Sequence, residues 1–170
     1  MKTKILILLI TLSSSAFAAE SQSPLENALT ACRPEKVAKV VPGITSKDET
    51  IKILGAPQKS KDGLLFFNES GNEYDLTVSI DQGRVKYVYY ELTGPQANRD
   101  CGNFNQFKDH LTASQKKQAE KSLQENPNEH QRGRFFNVLF QKESVKIEFY
   151  NSPEKKIHSI LIWKKGDHLK

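Results

Sequence analysis

The chain has 170 residues, with 25 Lys and Arg against 20 Asp and Glu, nine Gly and two Cys. That length suits one compact domain or two small fused units and is enough to bury a core. The positive excess of five, two of it from Lys2 and Lys4, is small, and Lys is interspersed with Glu through 116–125 and 142–148; this excludes the basic stripe of a nucleic-acid-binding protein, and the singly placed glycines exclude a phosphate-cradling loop.

Residues 1–18 have a basic start, an unbroken apolar run over 5–10 and small residues leading to Ala16-Phe17-Ala18. This predicts a secretory signal peptide cut before Ala19 and a periplasmic or secreted destination. The run is far shorter than the roughly 20 residues that span a bilayer, and no later stretch approaches that length, so no transmembrane segment is expected. Ala19 and Glu20 stand where a bacterial lipoprotein would carry its lipidated cysteine. On this reading Cys32 and Cys101 enter an oxidising compartment, where an even count favours a disulfide, with free thiols and, last, a catalytic role as the alternatives. Such a bridge closes a long loop, worth roughly 4 kcal/mol in the chain-entropy model.

Pro24 opens a helix running through Leu25, Ala28 and Leu29 to about Cys32. Pro34 opens a second short piece with Val37, Val40 and Val41 on one side, stopped by Pro42-Gly43. Thr45 or Ser46 caps the next helix, Ser46 with Glu49 forming a capping box, while Ile51 and Leu54 face inward and Gly55 and Pro57 end it. Three strands follow: LLFFNE, then 73–80, then VKYVYYEL after the turn Asp81-Gln82-Gly83-Arg84. In 73–80, Tyr74, Leu76, Val78 and Ile80 alternate with Glu73, Asp75, Thr77 and Ser79, the period of a half-buried strand.

Beyond the polar connection 94–100, Phe104, Phe107 and Leu111 supply a helical face. Thr112 with Gln115 forms a second capping box, and Ala119 and Leu123 continue an apolar side that ends before Pro127. The polar loop 126–133 is expected to be the most mobile segment. Three more strands then appear; in the middle one Val145, Ile147 and Phe149 alternate with Lys146, Glu148 and Tyr150, and Asn151-Ser152-Pro153-Glu154 turns into the last. The order capped helix, three strands is thus used twice. Gly63 and Gly133 are 70 positions apart, as are Asp81 and Asn151, and Cys32 and Cys101 are 69 apart. The expected fold is α+β, with two tandem helix-plus-three-strand units, 19–95 and 96–170, forming one helix-backed antiparallel sheet.

The segment 42–92 resembles small bacterial envelope proteins of the SmpA/OmlA type, which include a lipoprotein of the outer-membrane β-barrel assembly machine. The matching residues are Gly43-Ile44-Thr45, Leu54-Gly55-Ala56-Pro57 and Ser79-Ile80-Asp81-Gln82-Gly83-Arg84-Val85. A doubled unit of this kind is similar to the secreted β-lactamase inhibitor proteins. The resemblance implies this fold and the binding of a protein or peptide without catalysis. Two departures are plain: the lipid-bearing cysteine is missing, and the cysteines do not form the within-repeat pairs of the inhibitors.

If Tyr74, Leu76, Val78 and Ile80 face the helices, the opposite sheet face carries Phe66, Tyr87, Tyr89, Phe135, Tyr150 and Trp163, with Asp75, Thr77, Leu139, Lys146 and Glu148 among them. Tyr and Trp on an open sheet offer large contact area at low entropic cost, the composition of a protein-binding surface. The alternative is that these rings pair across strands or sit in the core. Tyr87 and Tyr89 are the firmest members, since Val88, Tyr90 and Leu92 already supply an inward set.

His110, His130, His158 and His168 form no metal-ligand pattern, and there is no nucleophile elbow around Ser60, Ser70 or Ser144. Asn68-Glu69-Ser70 matches a glycosylation sequon, which matters only in a eukaryotic secretory host. No metal and no cofactor is expected. The function expected is non-catalytic binding of a protein partner, in envelope maintenance or as an inhibitor. A carrier of lipids, glycans or peptidoglycan fragments is the alternative, and a secreted hydrolase using scattered carboxylates a third.

Overall fold

The computed structural model describes residues 24–68, 75–92, 101–124 and 135–167. The segment 1–18 expected to be a signal peptide, Glu69 and Ser70 of the sequon, Glu73 and Tyr74, the connection 94–100, the whole loop 126–133 with His130, and His168 lie outside these residues.

Helix α1, Pro24–Cys32, buries Leu25, Ala28 and Cys32 at helical spacing. It leads into the single turn α2, Glu35–Ala38, behind which Arg33 folds back. Arg33 Nη2 lies 3.1 Å from the carbonyl oxygens of Val37, Ala38 and Val40 and donates among them, satisfying acceptors that the helix end leaves open. Val37 and Val40 are buried, whereas Val41, expected beside them, is exposed; α2 ends at Ala38, so helical spacing does not set which of Val40 and Val41 faces inward.

Helix α3, Lys47–Leu54, has the anticipated capping box: Ser46 Oγ accepts from the Glu49 N–H and the Glu49 carboxylate accepts from the Ser46 N–H at 2.8 Å. Gly55, at φ +92, terminates it. Its fully buried side chain is Thr50, whose hydroxyl donates to the Ser46 carbonyl at 2.7 Å; Ile51 and Leu54 pack partly buried against the core. Thr45 is no cap for this helix; its hydroxyl accepts from the Val41 N–H at 2.8 Å.

The strands are β1, Lys59–Lys61; β2, Leu64–Asn68; β3, Asp75–Asp81; β4, Arg84–Glu91; β5, Phe135–Phe140; β6, Val145–Tyr150; and β7, Ile157–Trp163. They form one antiparallel sheet in the order β1-β2-β3-β4-β7-β6-β5. Strand β1 was not anticipated. Its sequence, KSK, has no apolar alternation and is exposed throughout, but Asp62 and Gly63 both take positive φ, 51° and 76°, in a two-residue turn that fixes its pairing with β2.

Between the two sets of strands lie α4, Phe104–Lys108, and α5, Ala113–Gln124. Asn103 with Gln106 caps α4, and Thr112 with Gln115 forms the anticipated box ahead of α5. Phe104 and Phe107 pack on β5 and β6: the ring centroids of Phe104 and Phe136 are 4.9 Å apart, nearly perpendicular, and those of Phe107 and Phe149 are 5.6 Å apart. Edge-to-face pairs of this kind add about 0.5–1.5 kcal/mol beyond burial. Cys32 and Cys101 are joined by a disulfide, Cα to Cα 5.3 Å, tying the end of α1 to the chain just before α4.

The fold is therefore α+β and built on the sheet. Among the described residues the helices are short, four to twelve residues; the expected helix-backed sheet is instead strand-rich, with separate helical pieces such as α5 along β5 and α3 against the start of β4.

Candidate functional site

The strand register divides the sheet into two faces. On one, Val78, Val88, Ile162, Val145 and Phe140 run side by side, as do Leu76, Tyr90, Ile160, Ile147 and Val138, and all are buried. On the other, Phe66, Thr77, Tyr89, Leu161, Lys146 and Leu139 form one unbroken transverse row. Leu64, Ser79, Tyr87 and Trp163 form a second row, and Glu91, Ser159, Glu148 and Asn137 a third. Phe66, Tyr87, Tyr89, Phe135 and Tyr150 are all half-buried on this second face.

Trp163 requires a correction. It lies on the expected face beside Tyr87, yet it is only 5% exposed, and its indole N–H donates to the Asp167 carbonyl at 2.8 Å. The chain just after β7 takes up its polar edge, so Trp163 presents little surface to a partner.

At one end of the face three rings meet. Phe135 stacks on His158 with centroids 4.0 Å apart and planes 14° apart, Tyr150 packs against both, and Tyr150 Oη lies 3.2 Å from His158 Nδ1. Alongside them, Tyr89 Oη donates to Glu91 at 2.5 Å, Ser159 Oγ donates to Glu148 at 2.8 Å, and Lys146 pairs with Glu148 at 2.8 Å. Burial resists ionisation of Glu148, but hydrogen bonds from Lys146 and Ser159 and the nearby positive charge outweigh it and hold its carboxyl below the usual range. Burial lowers the pKa of His158 against the pull of Glu91 and Glu148, and burial with the Glu91 hydrogen bond raises that of Tyr89. The proton of Ser159 is directed to a carboxylate and Nδ1 of His158 faces a phenol, so these groups are not aligned as nucleophile and base. Among the described residues no three His, Cys, Asp or Glu side chains are grouped to hold a metal ion.

No protein-family model and no curated protein matches the chain. A solved structure of a DUF4309 family protein, YjgB, from Bacillus subtilis is similar over 81% of this chain and 91% of its own, at 10% identity and a TM-score of 0.49.

Glu91, Ser159 and His158, which meet the tyrosines and Glu148 at this end of the face, were not assigned to it from the sequence. Glu91 and Ser159 follow from the alternation that places Tyr87, Tyr89 and Trp163, and could have been read from it. His158 could not: the register slips between Glu148 and Phe149, which pair with Ser159 and Ile157, leaving His158 as an extra residue whose ring joins the same face. Among the other histidines, His110 is exposed.

Proposed function

We propose that the protein is a non-catalytic binding module that engages a protein partner through the aromatic face of its sheet. The observation that carries this is the gathering of Phe66, Tyr87, Tyr89, Phe135 and Tyr150 on one side of a continuous sheet, each half-buried, while the other side is filled by core. Aromatic rings on a rigid sheet lose little conformational freedom on binding and tolerate partial hydration, which favours contact energy concentrated in a few residues. We read the chain as two units, 19–95 and 96–170, that meet where β4 pairs with β7; the likeness of 42–92 to the SmpA/OmlA type and of the doubled plan to β-lactamase inhibitor proteins favours envelope maintenance or inhibition, in the periplasm or outside the cell. The Cys32–Cys101 disulfide supports that destination.

The test is capture from native envelope and secreted fractions by the parent protein and by a Tyr87→Ala, Tyr89→Ala variant whose circular dichroism and melting match the parent. The expected outcome is a protein retained by the parent and lost by the folded variant. Identical recovery by both would assign these tyrosines to packing.

A carrier is the second reading, favoured by a cavity of about 470 Å³ whose wall includes Leu25, Leu29, Phe107, Phe140 and Val145, with Glu26, His110, Glu143 and Lys165 also lining it. Its volume and lining suit a small apolar ligand. A melting-temperature rise with lipids, glycans or peptidoglycan fragments would select it over the protein-binding reading.

A further inference from the structure

A second surface lies apart from the aromatic face, where α2, the 43–46 loop, α3 and Arg84 border one concavity. Lys36 lines it from α2, Lys39 from the C-cap of that helix, Lys52 from α3, and Arg84 from the start of β4. Its apolar members are Ile53, partly buried against the core, and Ile44, 67% exposed. Among the described residues Ile44 and its neighbour Val41, 39% exposed, are the exposed large hydrophobics.

The backbone that presents Ile44 is held on both sides. Gly43 N–H donates to the Val85 carbonyl at 2.7 Å, Val85 N–H donates to the Thr45 carbonyl at 2.9 Å, and Arg84 donates to the Ile44 carbonyl itself at 2.6 Å. A large apolar side chain held outward on such a pinned loop gains nothing for the fold. The one carboxylate on the lining, Glu49, is taken up by the Ser46 N–H and hydroxyl at the start of α3. Lys39 pairs with Glu35 at 2.8 Å, with both side chains mostly in water, an arrangement that yields readily to another anion. The lining therefore carries four cations and one carboxylate, Glu49, which also feels Arg84 and Lys52, while Glu35 pairs with Lys39; Ile44 and Ile53 are its apolar members.

We propose that this concavity is a docking site for an acidic protein segment carrying an apolar side chain: the apolar group packs on Ile44 and Ile53 while flanking Asp or Glu residues meet Lys36, Lys39, Lys52 and Arg84. An extended segment is favoured over a lipid bilayer because the cations border a recess from three elements, Lys36 and Lys39 in α2 and at its C-cap, Lys52 in α3 and Arg84 at the start of β4. A flat membrane would reach Ile44 but not Ile53.

The test is fluorescence anisotropy with a labelled peptide of about twelve residues, a central Leu flanked by Asp and Glu, titrated with the full protein. Control peptides carry Ser for the Leu, or Asn and Gln for the acids. The expected result is saturable binding that weakens as salt is raised to about 0.5 M and falls about tenfold or more for each control peptide and for each of the surface variants Ile44→Ser and Lys52→Glu. The Tyr87→Ala, Tyr89→Ala variant should bind this peptide like the parent, which separates the site from the aromatic face. No saturation up to about 1 mM, equal affinity for acidic and neutral peptides, unchanged affinity in Ile44→Ser and Lys52→Glu, or binding only to phosphatidylglycerol vesicles would each overturn the assignment.

Discussion

Gly63 and Gly83 share one backbone angle, φ +76, but not one environment. A Cβ on Gly63 would stand 2.9 Å from the carbonyl oxygen of Ile80, whereas one on Gly83 would meet nothing within 4 Å. Ile80 donates its N–H to Gly63 O at 2.7 Å, so that approach is part of the sheet. We expect Gly83→Ala to cost about 1 kcal/mol, the penalty of a left-handed alanine, and Gly63→Ala to cost clearly more, compared by urea unfolding. Tyr90 makes the opposite case: it is fully buried, and its hydroxyl has no hydrogen-bond partner among the described residues. Tyr90→Phe should therefore leave stability unchanged or raise it by up to about 1 kcal/mol, read as Tm. The lowered pKa values of His158 and Glu148 act in one direction. Unfolding raises each, so the unfolded chain binds more protons, and each contribution is complete above the ordinary value and lost on acidification. Tm should begin to fall below about pH 6.5 because of His158 and fall further below about pH 4.5 because of Glu148; His158→Gln should remove the first step and keep the second.

Helix starts were legible where a side chain and a backbone group answer each other within four residues. Ser46-x-x-Glu49 and Thr112-x-x-Gln115 both formed as expected, and Ser46→Ala should cost about 1 kcal/mol in thermal unfolding. Asn103-x-x-Gln106 at the start of α4 follows the same logic and was equally legible, since Asn caps a helix as well as Ser does. Strand β1 was illegible by composition, since edge strands are kept short and charged and Lys59-Ser60-Lys61 shows no alternation; its one signal was Asp62-Gly63. The face to which His158 belongs was hidden for a different reason. Alternation assumes unbroken pairing, and the slip opposite Glu148 and Phe149 depends on the partner strand, which the residues of β7 do not report.

At the scale of the molecule, the faces of the sheet were legible and the neighbours were not. Period-two patterning sorted Tyr87 and Tyr89 from Val88 and Tyr90, but nothing in either strand states that β4 lies beside β7. The burial of Trp163 was likewise beyond reach, because its indole is met by the Asp167 carbonyl, a backbone atom without a side-chain signature. The disulfide was legible from parity and the expected compartment, and it spans 69 positions of the sequence. Replacing both Cys32 and Cys101 with Ser should lower stability by up to about 4 kcal/mol, compared with the parent by denaturant unfolding without reductant. The same bond links two pieces of chain that lie on either side of the 93–100 connection: Cys32 precedes the strands β1 to β4, and Cys101 precedes β5 to β7. A protease that cut only between them would leave a nicked molecule whose fragments stay covalently clasped, migrating as one species until a reductant released them.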